Sequence, residues 1–163
     1  MIILGIDPGF SFTGYAILQK NKQQIIMLDH GYITLPTSKS LQNRIGLFYS
    51  TFLEKIEKHN VSHLALETSF LGKNAQTFLK LGYLRGILYL LAEQHNLEVF
   101  EFAPRQVKQT VTGYGAADKA QVAKVLSMLF PAINKPLKED VTDAIAISLC
   151  GLWQSENKMH QIL

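Results

Sequence analysis

Residues 2–6 read Ile-Ile-Leu-Gly-Ile, a run without a polar side chain that stops at Asp7-Pro8-Gly9. A strand with one face in water alternates apolar and polar residues; one that does not is covered on both faces. A chain containing such a strand needs a layer of structure on each side of its sheet, and the rest of the sequence has the elements to build both. Residues 13–19 and 25–35 carry strand patterns, so the first three strands form an antiparallel meander. Residues 63–67 and 98–102 give a fourth and a fifth strand. Helical spacing fills 42–59, where Ile45, Leu47, Phe48, Phe52, Leu53 and Ile56 are apolar while Glu54, Lys55, Glu57 and Lys58 are not. Three more helical stretches follow the fifth strand, at 104–111, 118–129 and 138–153, and Asp118 with Gln121 has the spacing of a capping box. The expected architecture is α/β, a five-stranded mixed sheet flanked by helices.

The helical stretch 76–95 differs from the others. Phe78, Leu79, Leu81, Tyr83, Leu84, Ile87, Leu88, Tyr89, Leu90 and Leu91 run nearly all the way round it, and a helix apolar on every side is buried on every side. Gly82 and Gly86, four residues apart, leave a smooth stripe where a second helix can approach. In a chain of 163 residues, full burial of that helix calls for a second subunit. No repeat, linker or low-complexity run divides the sequence, so it is read as one domain over 1–163, with a flexible tail from about residue 154. The single cysteine, Cys150, excludes an internal disulfide framework. The apolar run at 2–6 lacks a basic lead and is cut by Asp7, unlike a signal peptide. The stretch 144–153 is half of the ~20 residues that span a membrane. The expected location is the cytoplasm.

Four carboxylates interrupt or end apolar sequence. Asp7 ends the first strand and Glu67 the fourth, while Asp140 and Asp143, three apart, share one face at the start of the last helix. Adjacent strands with that helix packed across them bring all four to one edge of the sheet. Such a cluster repels itself and holds protons unless divalent cations neutralise it; oxygen-only donors suit Mg²⁺ or Mn²⁺. Two such ions ~4 Å apart promote in-line attack on a phosphodiester. Each acid alone has a second reading: Asp7 as a turn residue, Glu67 as a solvated strand end, Asp140 and Asp143 as acids favoured by the helix dipole.

The overall charge of +3 is a weak pointer to an anionic partner, but its distribution is more informative. Arg105, Lys108, Lys119 and Lys124 stand against Asp118 alone over 105–124, with a Gly113-Tyr114-Gly115 loop between them. A loop of this kind before a helix can offer backbone N–H groups to phosphate. Lys119 falls in a first helical turn, where the dipole disfavours a cation; a nearby anion accounts for it, as does simple solvation. Phe70, in a polar loop after Glu67, is either a base-stacking aromatic or a core residue. There is no GxxxxGK[ST] loop, no dinucleotide glycine set, no paired histidines at metal-ligand spacing and no GxSxG elbow.

Taken in order, these motifs closely resemble the RuvC family of bacterial Holliday junction resolvases. The resemblance runs over residues 3–153. It rests on Leu4-Gly5-Ile6-Asp7-Pro8-Gly9; on Glu67 with Phe70 and Lys73-Asn74; on Lys80-Leu81-Gly82 with Arg85-Gly86; on Ala103-Pro104 with Val107-Lys108; on Val111-Thr112-Gly113 with Gly115, Ala117, Lys119 and Gln121-Val122; and on Asp140 with Asp143-Ala144-Ile145-Ala146. It implies a ribonuclease H-like fold, a homodimer formed through the helix at 76–95, and Mg²⁺-dependent resolution of four-way DNA junctions. Cleavage is expected as paired symmetric nicks leaving 5′-phosphate and 3′-hydroxyl ends. It further implies two Mg²⁺ per subunit, replaceable by Mn²⁺, held by Asp7, Glu67, Asp140 and Asp143. Asp7 would bridge both ions, Glu67 would hold the one nearer the leaving group, and Asp140 and Asp143 the one that activates water. Lys108 and Lys119 join the catalytic set. Phe70, Lys73, Asn74 and Arg105 join Lys108 and Lys119 as DNA contacts, Phe70 as a wedge at the junction. A branch-migration complex of the RuvA and RuvB type is the implied protein partner. The competing readings are another metal nuclease of this fold, such as one acting on RNA–DNA hybrids, and a junction-binding protein that does not cut.

Overall fold

The strand at 2–6 extends by one residue to form β1 (Ile2–Asp7) and lies at the centre of the sheet. It is followed by β2 (Phe12–Asn21), β3 (Gln24–Thr34), α1 (Leu41–His59), β4 (His63–Glu67), α2 (Ala75–Gln94), β5 (Glu98–Phe102), α3 (Pro104–Thr112), α4 (Lys119–Leu129) and α5 (Glu139–His160). This computed structural model describes residues 1–22, 24–68, 75–131, 133 and 137–160, with backbone only for 156–160. The strand order is β3-β2-β1-β4-β5. β2 runs antiparallel to β1 and β3, whereas β4 is parallel to β1 and β5 to β4. The meander therefore supplies one half of the sheet, and the helix-connected strands β4 and β5 the other.

Alternation along the central strands divides the interior in two. Leu4 and Ile6 of β1, with Leu64 and Leu66 of β4, pack on one side with Phe48, Phe52, Leu84 and Leu88 from α1 and α2. Ile3 and Ala65 pack on the other side with Val107, Val122, Leu126 and the buried face of α5. β1 is apolar throughout because both of its faces are covered. The expected capping box is present: the Asp118 side chain accepts from the Gln121 N–H at 2.8 Å, and Gln121 Oε1 accepts from the Asp118 N–H at 2.9 Å.

α2 is only half covered. Leu84, Leu88 and Leu91 are fully buried, but Leu79 is 56% and Leu90 47% exposed, and Tyr83 and Tyr89 are exposed beside them. Burial on every side, as its composition suggests, is not achieved within one chain. Cβ atoms at Gly82 and Gly86 would meet nothing within 4 Å, so the smooth stripe faces open space. α5 continues through His160, so residues 154–160 of the expected flexible tail belong to that helix. Among the described residues no helix is long and apolar enough to cross a membrane.

Candidate active site

Strand parity places the first two carboxylates. On β1, Ile3 and Gly5 face the layer containing α5, and Asp7 is next in that row; on β4, Ala65 faces the same layer and Glu67 is next. The two strands are parallel neighbours in the register Ile6↔Leu66, so Asp7 and Glu67 end adjacent strands side by side.

α5 delivers the other two because its track along the sheet is bare. A methyl group at Gly5 would collide with Ser148 and the Ala144 carbonyl, and one at Gly14 with the carbonyl of Asp140. Gly14 is the cross-strand partner of Asp7, which fixes the first turn of α5 beside the end of β1. The buried Ser148 hydroxyl bridges the carbonyls of Ala144 and Ala16 at 2.8 and 3.1 Å, satisfying a polar group at this close crossing. Lys138, just before α5, lies 4.3 Å from the Phe12 ring centroid and 3.7 Å from that of Tyr32, a cation–π contact that ties the helix approach to β2 and β3.

The electrostatics follow from this convergence. Burial, then Asp143, Glu67 and Asp140, push the Asp7 carboxyl up to about 7, against a smaller opposing pull from Lys119. Glu67 is raised by burial and by Asp143, with Lys119 and Lys108 pulling it down. Burial also raises Asp143, although Lys119 counteracts it. The carboxylates sense one another, yet among the described residues no three acid, histidine or cysteine side chains close into a ready coordination sphere. The Lys119 ammonium lies 3.5 Å from Asp143 and also pairs with Glu139. An all-oxygen donor set with protons held on Asp7 fits a hard divalent cation.

Glu67, Asp143, Lys108 and Lys119 line one cleft of about 220 Å³. The anion beside Lys119 is thus within the protein, in Glu139 and Asp143. Arg105 packs against Gly115 and is not among the residues that line this cleft. The glycine loop does not offer its amides to phosphate as expected. The Gly113 N–H donates to Gln109 O, Tyr114 to Thr112 Oγ1, Gly115 to Gln109 Oε1 and Ala117 to Tyr114 O. Phe70, Lys73 and Asn74 lie outside the described residues.

The structure adds roles for three side chains of the site region, one of which, Arg85, already belongs to the Arg85-Gly86 motif. Glu139 is one acid in a Lys-Glu-Asp run, and its pairing with Lys119 exists only in the tertiary structure. Arg44 of α1 donates to the Phe10 carbonyl in the loop after Asp7 and lies 4.1 Å from the Phe10 ring centroid. Arg85 of α2 donates to the backbone carbonyl of Glu67 at 2.6 Å. Arg85 and Lys80 are the two cations of this largely apolar helix, and the sequence does not distinguish which of them reaches the sheet.

A sequence profile described as crossover junction endodeoxyribonuclease RuvC matches residues 3–151. A protein of that description from Halothermothrix orenii is 37% identical over 150 residues, covering 92% of this chain and 91% of that protein. Another from Chlorobium phaeobacteroides is 40% identical over 161 residues, 99% of this chain and 86% of its own. In fold, the chain is similar to Thermus thermophilus RuvC solved in complex with a Holliday junction substrate, with a TM-score of 0.88, 24% identity and coverage of 95% of this chain and 94% of that one. It is also similar to the yeast mitochondrial Holliday junction resolvase, with a TM-score of 0.70, 16% identity and coverage of 99% and 84%. The central two-sided strand, the carboxylates gathered at its end and a profile match over nearly all of the chain agree: this protein belongs to the RuvC family of crossover junction endodeoxyribonucleases.

Proposed function

We propose that this chain is a structure-specific endonuclease that resolves four-way DNA junctions by metal-assisted phosphodiester hydrolysis. The observation that carries the reading is the convergence of Asp7, Glu67 and Asp143, with Asp140 close enough to raise Asp7, at one end of the sheet beside Lys108 and Lys119. Asp7, Glu67, Asp140 and Asp143 would hold two Mg²⁺, with Mn²⁺ as substitute. When bound, such ions polarise the scissile phosphate and lower the pKa of the attacking water. Asp7 holds a proton near neutral pH until a cation competes for its oxygens. Lys119 pairs with Asp143 and offsets the local negative charge, and Lys108, lining the same cleft, lowers the charge cost of an ionised Glu67. Both ammonium groups would meet phosphate oxygens when DNA is bound.

Arg105, Phe70, Lys73 and Asn74 complete the proposed DNA contacts. The working unit is proposed as a homodimer of one-domain chains spanning 1–163, joined through the exposed half of α2, acting in the cytoplasm with a branch-migration complex of the RuvA and RuvB type. The test is cleavage of a synthetic four-way junction with Mg²⁺, run beside a linear duplex and an RNA–DNA hybrid. Paired symmetric nicks confined to the junction, with ends that ligase seals, are expected. Hybrid cleavage without junction preference, or junction binding without nicks in either metal, would overturn the reading.

A further inference from the structure

We infer that Arg85 is a positioning residue that aims the Glu67 carboxylate from the opposite side of the sheet. The inference rests on the proposed role of Glu67 as a metal ligand. Arg85 belongs to α2 and is buried at 9% exposure. Its Nη1 donates to the Glu67 backbone carbonyl at 2.6 Å, and its Nη2 donates to Tyr89 Oη at 2.8 Å and to Glu101 Oε1. Tyr89 Oη donates to the same Glu101 oxygen at 2.7 Å, closing a three-residue cluster. Glu101 is the register partner of Leu66 on β5, so the guanidinium is braced on one strand while it grips the end of the next.

Parity explains what this grip does. The Glu67 side chain continues the row facing α5, whereas Arg85 approaches from the α1–α2 layer. Beyond Glu67 the ladder carries one further bond, from the Thr68 N–H to the Phe102 carbonyl at 2.8 Å. The Glu67 carbonyl and the Thr68 N–H belong to one peptide plane, so Arg85 and the Phe102 carbonyl hold the last peptide of the strand from its two edges. Displacement of that strand end moves the Glu67 carboxylate relative to Asp7. A planar guanidinium with two fixed donor directions resists the displacement; a lysine ammonium supplies charge without that geometry.

A purely structural ion pair would need only Glu101, and that carboxylate is 39% exposed and free to rehydrate. The strand-end carbonyl is the group that loses its donor when Arg85 is removed. The cluster lies at the floor of a groove of about 390 Å³ lined also by Gly82 and Gly86.

The test compares wild type with Arg85→Gln, Arg85→Lys and Glu101→Gln. It reads Mn²⁺ binding to the DNA-free protein by calorimetry, the Mg²⁺ dependence of single-turnover cleavage, junction affinity in Ca²⁺, and Tm. Arg85→Gln is expected to weaken Mn²⁺ binding by about 10-fold, as loss of a group that orients a ligand does. Its Mg²⁺ requirement should rise in parallel, with junction affinity in Ca²⁺ unchanged. Arg85→Lys should recover part of the loss, and Glu101→Gln should show a smaller shift in the same direction. Wild-type Mn²⁺ binding and Mg²⁺ dependence in Arg85→Gln would overturn the inference alone. If Arg85→Gln does not fold, unchanged metal behaviour in Glu101→Gln overturns it instead. Absence of Mn²⁺ binding in the wild type would remove the metal reading of Glu67 and the inference with it.

Discussion

Asp7 lies where burial and three neighbouring acids push its carboxyl from 3.8 up to about 7. A raised carboxyl means that the folded chain keeps a proton which the unfolded chain has already released. The contribution of Asp7 to stability therefore declines as pH rises from about 4 to about 7 and stays unfavourable above that range. Divalent cations reverse the loss by taking the place of the proton. Two results follow in thermal melts. Mg²⁺ should raise Tm more at pH 8 than at pH 5, and Asp7→Asn should melt higher than wild type in chelator at pH 8, by about 5 °C. Equal melting of the two proteins in chelator at pH 8 would contradict the electrostatic account. Asp7 and Glu67 stand out in the sequence because each ends an apolar strand, but either alone also reads as a turn residue or a solvated strand end; their place on adjacent strands comes from the pairing of β1 with β4. Glu139 was not legible, since only the packing of α4 against α5 brings Lys119 to it. The amides of the glycine loop were misjudged for a related reason. Thr112, just before the loop, and Gln109, one turn earlier, accept from them, and composition does not record that reach.

The helix that carries Asp140 and Asp143 is seated by absent side chains as much as by present ones. Gly5 and Gly14 let α5 approach the sheet closely, and Lys138 ties its approach to Phe12 and Tyr32. Gly14→Ala would place a methyl against the Asp140 carbonyl and lift the first turn. The expected cost is about 1–3 kcal/mol of stability, with cleavage falling about 10-fold or more as ligand geometry is lost while junction affinity in Ca²⁺ holds. A variant that cleaves normally at saturating Mg²⁺ would show that the seat of α5 does not set the site. Helix and strand boundaries agree with the sequence patterns to within two residues, except that α5 runs on from the expected end at 153 to His160. The close seat of α5 was not read, because Gly5 and Gly14 sit in strands whose role appears only once β1 and β2 are paired.

At the scale of the molecule, the sheet separates two tasks. The α5 side gathers the carboxylates, while the α1–α2 side holds the strand ends through Arg44 and Arg85 and presents an exposed apolar face. A face containing Leu79, Tyr83 and Leu90 beside an open Gly82–Gly86 stripe fits a second copy of the same helix, which would set two cleavage sites on one junction. Leu90→Glu should shift the sedimenting species from two chains to one at micromolar concentration while preserving the helical circular dichroism. An unchanged two-chain species would place the interface elsewhere. The two-sided character of the central strand was enough to predict helices on both faces. That α2 is only half covered by its own chain emerged from the packing, because a helix apolar all round carries no mark of which half meets which partner.

The central claim is that four carboxylates at the end of one sheet form the divalent-metal site that cuts junction DNA. Single-turnover cleavage of a four-way junction in Mg²⁺ by Asp7→Asn, Glu67→Gln, Asp140→Asn and Asp143→Asn, with junction binding measured in parallel in Ca²⁺, tests it most directly. Binding should stay near wild type in all four, because contacts to the DNA backbone dominate affinity. Nicking should fall by about 1,000-fold or more, a loss of roughly 4 kcal/mol in transition-state stabilisation. Wild-type nicking in any one of the four variants would contradict the account.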